Sequence, residues 1–436
     1  MKPLKITKDR RRKSNLLKKL LVISILLVLF RLPIFAVLSL VGGLNIRELA
    51  KLIVILPILV PLFYLLRAGR VKSFDKYPVL LFILFTIVVG INYSLILNIF
   101  YSELPLTKNL RVFSIFHFFL IFPFFLVNLR LEKDDYRYII DKIASVVLNI
   151  GGLLIIFEGL GYYLGWFTPE DTRNFLSGGI YFLRTNEYRP IGILADAAAS
   201  GTLLAACTAY YFVQKISHFK ISSKHIQRLK YRWSTIIIGI ISVFVSGSLT
   251  AILILIITIL LSMLIYSKSP LKAFYVSIAA ILFFVCFRFL PTFDIYNYFL
   301  NYLHNTDKYI PIFFPSSSWD NFPLWGYHTS PNWNTGEFHL FDYAVKYGFL
   351  IFLPCFILMF SPLLKMTRLF PTSNQDKAPM ILCLVFLLAI VHYSGFERWG
   401  NNYLYTLAVI MLFKKDTLSP THIIAEKEAN HRKYIE

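Results

Sequence analysis

Apolar residues fill this chain in blocks close to the roughly 20 residues that carry a helix across a bilayer, and most of its polar residues stand in the gaps. The blocks fall at 17 to 40, 49 to 66, 78 to 99, 112 to 129, 139 to 165, 191 to 213, 234 to 246, 249 to 266, 272 to 290, 342 to 364, 379 to 396 and 401 to 413. They predict an all-α polytopic membrane protein with about twelve transmembrane helices. One stretch needs dividing, because the apolar run that starts at Trp233 is too long for one span and short for two. Its interior holds Ser246, Gly247, Ser248 and Thr250, and glycine with hydroxyl side chains can end a helix and satisfy the freed backbone groups. A tight turn is therefore predicted between the seventh and eighth spans.

The pattern breaks at length between 291 and 341, a polar and aromatic segment carrying Trp319, Trp325, Trp333, His304, His328 and His339. It ends in Gly336-Glu337-Phe338-His339 just before the next apolar block. Within it Phe293, Tyr296, Leu300 and Leu303 recur at helical spacing, which predicts an amphipathic helix lying on the bilayer surface.

Charge sets the orientation. The chain has 45 Lys and Arg against 24 Asp and Glu, a formal net charge of +21, and the basic residues gather in the tail 1–18 and the loop 215 to 232. Basic loops stay on the cytoplasmic side, so both termini are predicted to be cytoplasmic, with the tails 1–18 and 414–436 inside. The long loop 291–341, between spans nine and ten, then lies outside. Fusing the seventh and eighth spans would put the later basic loops on the wrong side. The net charge is thus mostly topological, and nucleic-acid binding would need a soluble domain of which the pattern gives no sign. At 57% hydrophobic and 16% charged residues, the chain reads as one membrane domain over 1–436. The first span lacks a small-residue cleavage site and reads as a retained signal anchor. The four cysteines all lie inside spans without a Cys-x-x-Cys pair, so no metal or other cofactor is expected.

Several residues suit chemistry at the outer face. Arg189 stands in Arg189-Pro190-Ile191-Gly192 where the sixth span opens, with Asp196 and Ser200 further in. A guanidinium donates two parallel hydrogen bonds to a diphosphate and stays charged, while the other reading has Arg189 anchored to lipid phosphates or paired with Glu187. Arg31, Glu158 and Arg288 interrupt or flank apolar blocks, where ionisable groups are expensive and are usually paired or functional. Glu158 is expected to partner an outer arginine. Glu337 and His339 stand where a general base could take the proton of an attacking sugar hydroxyl. Every tryptophan but Trp233 falls on the predicted outer side, which fits either an interfacial belt or stacking against pyranose faces. On the second reading Trp325 and His328 join the substrate-binding set.

Three local patterns together resemble the O-antigen polymerase and ligase superfamily: Arg189-Pro190-Ile191-Gly192, the Ser246-Gly247-Ser248 break, and Gly336-Glu337 running through Asp342 to Tyr347-Gly348. Glu337 with Asp342 looks like the polymerase form, and His339 is displaced two residues from a ligase histidine. The resemblance implies a metal-independent glycosyltransferase at the periplasmic face of a bacterial inner membrane. Its substrate would be undecaprenyl-diphosphate-linked oligosaccharide, and its product O-antigen, capsule or exopolysaccharide. Glu337 and His339 would be catalytic; Arg184, Arg189, Asp196, Ser246, Ser248, Arg288, Trp325, His328, Asp342 and Arg398 would bind substrate. A chain-length regulator and a flippase of the same pathway are the expected protein partners. Leu249 follows Ser248 where the family usually has arginine, so Arg184, Arg288 or Arg398 must substitute for that cation. A ligase of the same architecture is the alternative, and a glycan transporter the alternative of another class.

Overall fold

The computed structural model describes residues 3–42, 53, 56–67, 122–123, 126–127, 129, 131–168, 170–172, 190, 192–194, 197–217, 232–266, 278, 353, 356–357, 359–365, 376–392 and 399–414. Among the described residues all regular structure is helical. The helices are α1 (Pro3–Leu29), α2 (Arg31–Gly42), α3 (Leu56–Arg67), α4 (Lys133–Val146), α5 (Gly152–Tyr163), α6 (Ala197–Ile216), α7 (Trp233–Val245), α8 (Leu249–Tyr266), α9 (Lys377–His392) and α10 (Trp399–Phe413). A π-helical turn, Val147–Gly151, joins α4 to α5. The resulting helix Lys133–Tyr163 is 31 residues long and apolar enough to cross a membrane.

The core forms around α6, in which every residue from 199 to 214 is buried. Its first half, Ala-Ala-Ala-Ser-Gly-Thr-Leu-Leu-Ala-Ala-Cys-Thr-Ala, is small-residue-rich, and small side chains let neighbouring helices approach closely. It packs against α7, α8 and α9, and α9 in turn packs against α10. On α7, a Cβ added at Gly239 would collide with Thr208 of α6 and Leu148 of the π-turn. The α4–α5 helix has the opposite character on one flank. Ile150, Leu153, Leu154, Phe157 and Leu160 are 40 to 55% exposed at helical spacing, and Trp233, Ile237 and Ile241 repeat this on the neighbouring α7. Water-soluble monomers rarely leave so continuous an apolar stripe bare.

The break predicted in the apolar run from 233 is present. Helix α7 ends at Val245 and α8 begins at Leu249, against expected spans of 234 to 246 and 249 to 266. Gly247 carries the chain round at φ 63°, a conformation that favours glycine. Both helices pack far more extensively on α6 than on each other, so the hairpin straddles α6.

Two boundaries differ from expectation. Helix α1 starts at Pro3, so the basic tail 1–18 is largely helical and continuous with the helix expected as the first span. Lysine and arginine are good helix formers and nothing in the tail interrupts them. The helical run is also interrupted, with a turn at Phe30 and Pro33 in the first turn of α2, where proline has no N–H to return to Leu29. The helix expected as the sixth span begins at Ala197 rather than 191, because residues 192–194 form a turn ahead of it. The spans expected at 78 to 99 and 272 to 290 lie outside the described residues, apart from Ile278. So does the whole loop 291–341 with its expected surface helix.

Side-chain contacts sort the helix ends into two groups. At one end Lys18 of α1 bridges Asp135 of α4 at 2.6 Å, and Lys133 of α4 bridges Asp376 ahead of α9 at 2.6 Å. Lys414, after α10, lies over the Tyr136 ring, and Lys215 of α6 lies over Trp233 of α7. Tyr210 of α6 donates to the Asp141 carboxylate at 2.7 Å, and Tyr211 to the Asp141 carbonyl at 3.1 Å. At the other end stand the close of α5, the start of α6 and the α7–α8 turn.

Candidate functional site

The second group of ends contains two of the three patterns singled out in the sequence. The first is built on Glu158, one turn before the end of α5 and 7% exposed. One carboxylate oxygen accepts the Tyr162 hydroxyl at 2.7 Å, and the other accepts the backbone N–H of Gly192 at 3.0 Å. Gly192 has φ 68°, and Pro190 and the turn 192–194 are buried. Two residues on, the Leu194 N–H donates to Ser200 Oγ at 3.1 Å. The chain between α5 and α6 is thus fastened to a side chain on each.

The second pattern is the α7–α8 turn. Ser246, fully buried, donates its hydroxyl to the Val243 carbonyl at 2.6 Å and accepts the Ser248 N–H at 3.4 Å. Ser248 accepts the Ala251 N–H at 3.3 Å and so caps α8 in the way serine commonly opens a helix. The two serines expected to bind substrate therefore shape the turn. They lie against α6, since a Cβ on Gly201 would be 2.8 Å from Ser246 Oγ and 3.2 Å from Ser248 Cβ.

An aromatic edge lies beside this cluster. Helix α5 closes with Trp166 N–H donating to the Gly161 carbonyl and Gly165 N–H to the Tyr162 carbonyl, a Schellman ending with glycine at its left-handed position. Phe167 folds back over Gly161, its ring 5.5 Å from Tyr162 and 6.0 Å from Phe157, while Trp166 stays 62% exposed. Thr168 then donates its N–H and hydroxyl to the Asp171 carboxylate at 2.7 and 2.8 Å. Those bonds, the backbone one foremost, hold the Asp171 carboxyl below its ordinary value.

Of the expected site residues, Ser246 and Ser248 are described, and they lie against Gly201 of α6, one residue after the Ser200 that accepts the Leu194 N–H. Arg184, Arg189, Asp196, Arg288, Trp325, His328, Glu337, His339, Asp342 and Arg398 lie outside the described residues. Sequence reasoning marked Glu158 as a group needing a partner but not Tyr162 or the Gly192 N–H. It also missed the buried polar cluster at the opposite end, where Arg137 is 1% exposed and Asp141 fully buried. Their signal was present as two ionisable residues one helical turn apart at the edge of an apolar block.

Comparison with family models, with characterised proteins and with solved structures finds no match for this chain. The functional reading therefore rests on the residues themselves.

Proposed function

We propose that the chain is a polymerase that joins undecaprenyl-diphosphate-linked oligosaccharide repeat units at the periplasmic face of a bacterial inner membrane. In this reading it spans the bilayer about twelve times with both termini cytoplasmic. The observation that carries the proposal is the convergence at one end of the bundle of two patterns distant in sequence, the Pro190–Gly192 segment and the Ser246–Ser248 turn. The exposed apolar stripes on α5 and α7 support a lipid-facing surface. The lysines gathered at the opposite end support a cytoplasmic side there.

The growing chain is the donor and its anomeric carbon carries the lipid diphosphate. A hydroxyl of the incoming repeat unit attacks that carbon, the bond to the diphosphate oxygen breaks, and the electron pair leaves with the diphosphate. Glu337 accepts the hydroxyl proton, with His339 beside it in sequence. Arg189, with Arg184, Arg288 or Arg398, neutralises the departing diphosphate, the task that preorganised cations perform best. Asp342, Trp325 and His328 hold the sugars. The chain works beside a flippase that delivers the units and a regulator of chain length.

The test is made in cells of the source organism lacking the chain. Loss of long glycan with single repeat units still transferred to the outer surface is the expected phenotype, restored by the wild type but not by Glu337→Ala or Arg189→Ala. Long glycan that persists on its lipid carrier would instead identify a ligase. Units trapped on the cytoplasmic leaflet would identify a transporter.

A further inference from the structure

We propose that Glu158 is a positioning residue for this reaction: its carboxylate fixes the turn through which the chain passes from Arg189-Pro190 into α6. This rests on the polymerase reading above for its consequence, while the clamp itself rests on geometry. Two donors converge on Glu158 from unrelated places, the Tyr162 hydroxyl one turn on and the Gly192 N–H 34 residues away. A carboxylate offers two acceptor oxygens and no donor, which is what two incoming donors require.

The turn leaves little room to sit elsewhere. A Cβ at Gly192 would stand 2.7 Å from Ile155 Cδ1 of α5 and 2.8 Å from Ser200 Oγ of α6, so the backbone is wedged between both helices. The same arrangement occurs on each side of the wedge. Glu158 and Ser200 take the N–H groups of Gly192 and Leu194. The glycine that follows each of them seats the α7–α8 hairpin. A Cβ on Gly159 would collide with Val245 and lie 3.4 Å from Pro190, and one on Gly201 would lie 2.8 Å from Ser246 Oγ. Two polar-glycine pairs, Glu158-Gly159 and Ser200-Gly201, thus lock the turn to the hairpin. Moving the carboxylate frees the turn and with it the approach of the arginine segment.

The distinguishing variant is Glu158→Gln. Its carbonyl oxygen can accept the Gly192 N–H and its amide can donate to the Tyr162 oxygen, whose own hydrogen then rotates away. Glu158→Leu can do neither. Full-length wild type, Glu158→Gln, Glu158→Leu and Tyr162→Phe are reconstituted with lipid-linked repeat units, and kcat, KM and pH profile are measured together with amide hydrogen exchange across 190–201. Glu158→Gln is expected to keep both constants within about threefold and the pH profile unshifted, whereas Glu158→Leu loses about tenfold or more in kcat/KM. Exchange at Gly192 and Leu194 should stay at the wild-type level in Glu158→Gln, rise most in Glu158→Leu, and rise to an intermediate extent in Tyr162→Phe. The proposal is overturned if Glu158→Gln is as impaired as Glu158→Leu, for then the charge itself is used. It is equally overturned if Glu158→Leu, or Tyr162→Phe should the leucine variant not fold, keeps wild-type exchange and activity. Absence of polymer from the wild type would sink the polymerase reading, while exchange would still decide whether Glu158 holds the turn.

Discussion

At Gly192 one missing Cβ decides whether the chain can enter α6 at all. With φ at 68° and Ile155 and Ser200 on either side, Gly192→Ala combines a left-handed backbone with a steric clash. It is expected to destabilise the fold by about 1–3 kcal/mol, seen as a lower unfolding midpoint in detergent. An unchanged midpoint would contradict the wedge. Asp171 makes a pH-dependent contribution. Its folded carboxyl titrates below the unfolded one, so the bonds from Thr168 favour the folded turn above the ordinary pKa of 3.8 and are lost as pH falls through the lower folded value. Protease sensitivity of the segment after α5 should therefore rise in acid, and Asp171→Asn should flatten that rise. At this scale the sequence was legible where composition is anomalous. Serines and glycine inside an apolar run announced the Ser246 turn, and a lone carboxylate announced Glu158. One partner of that carboxylate is a backbone N–H, and every residue type but proline carries one, so nothing in the sequence could mark Gly192 as a donor.

Among the elements, the α6–α7 contact is close-packed at Gly239 and open to test. Thr208 Oγ1 is buried without a hydrogen-bond partner and faces Gly239 across the interface. Gly239→Ala should overpack this contact and cost about 1–3 kcal/mol. Thr208→Ala in the same chain should recover most of that, because it removes both the colliding atom and an unsatisfied hydroxyl. Thermal unfolding of the single and double variants checks the coupling, and simple additivity would refute the contact. Helix existence was readable from apolar blocks, and the α7 and α8 limits came within a residue. The start of α6 was not readable, because Ile193 and Leu194 are as apolar as any span yet belong to a turn. Hydropathy reports burial, and a turn wedged between helices is buried without being helical. The extension of α1 into the basic tail escaped notice for the converse reason, since charge argues against a span but not against a helix.

For the whole molecule, the sequence argued from charge that alternate helix ends share a side, and among the described residues side-chain contacts gather several basic helix ends together. Lys18, Lys133, Lys215 and Lys414 stand at one end with Asp135 and Asp376, and the Glu158 and Ser246 clusters stand at the other. Burial partly offsets this charge, drawing the Lys414 ammonium below the ordinary lysine range although Asp135 opposes it. The proposed chemistry was legible only as residue types in short patterns, because a role for the Glu337 segment and the arginines would depend on placement in space, which spacing along the chain does not report. The central claim is that the end bearing Glu158 and the Ser246 turn serves repeat-unit polymerisation, and one measurement addresses it most directly. Purified protein in liposomes is given undecaprenyl-diphosphate-linked repeat units from the source organism, and product length is resolved by gel. The account predicts a ladder of multiples that disappears with Glu337→Ala. Folded wild-type protein that leaves authentic substrate as single units would contradict it.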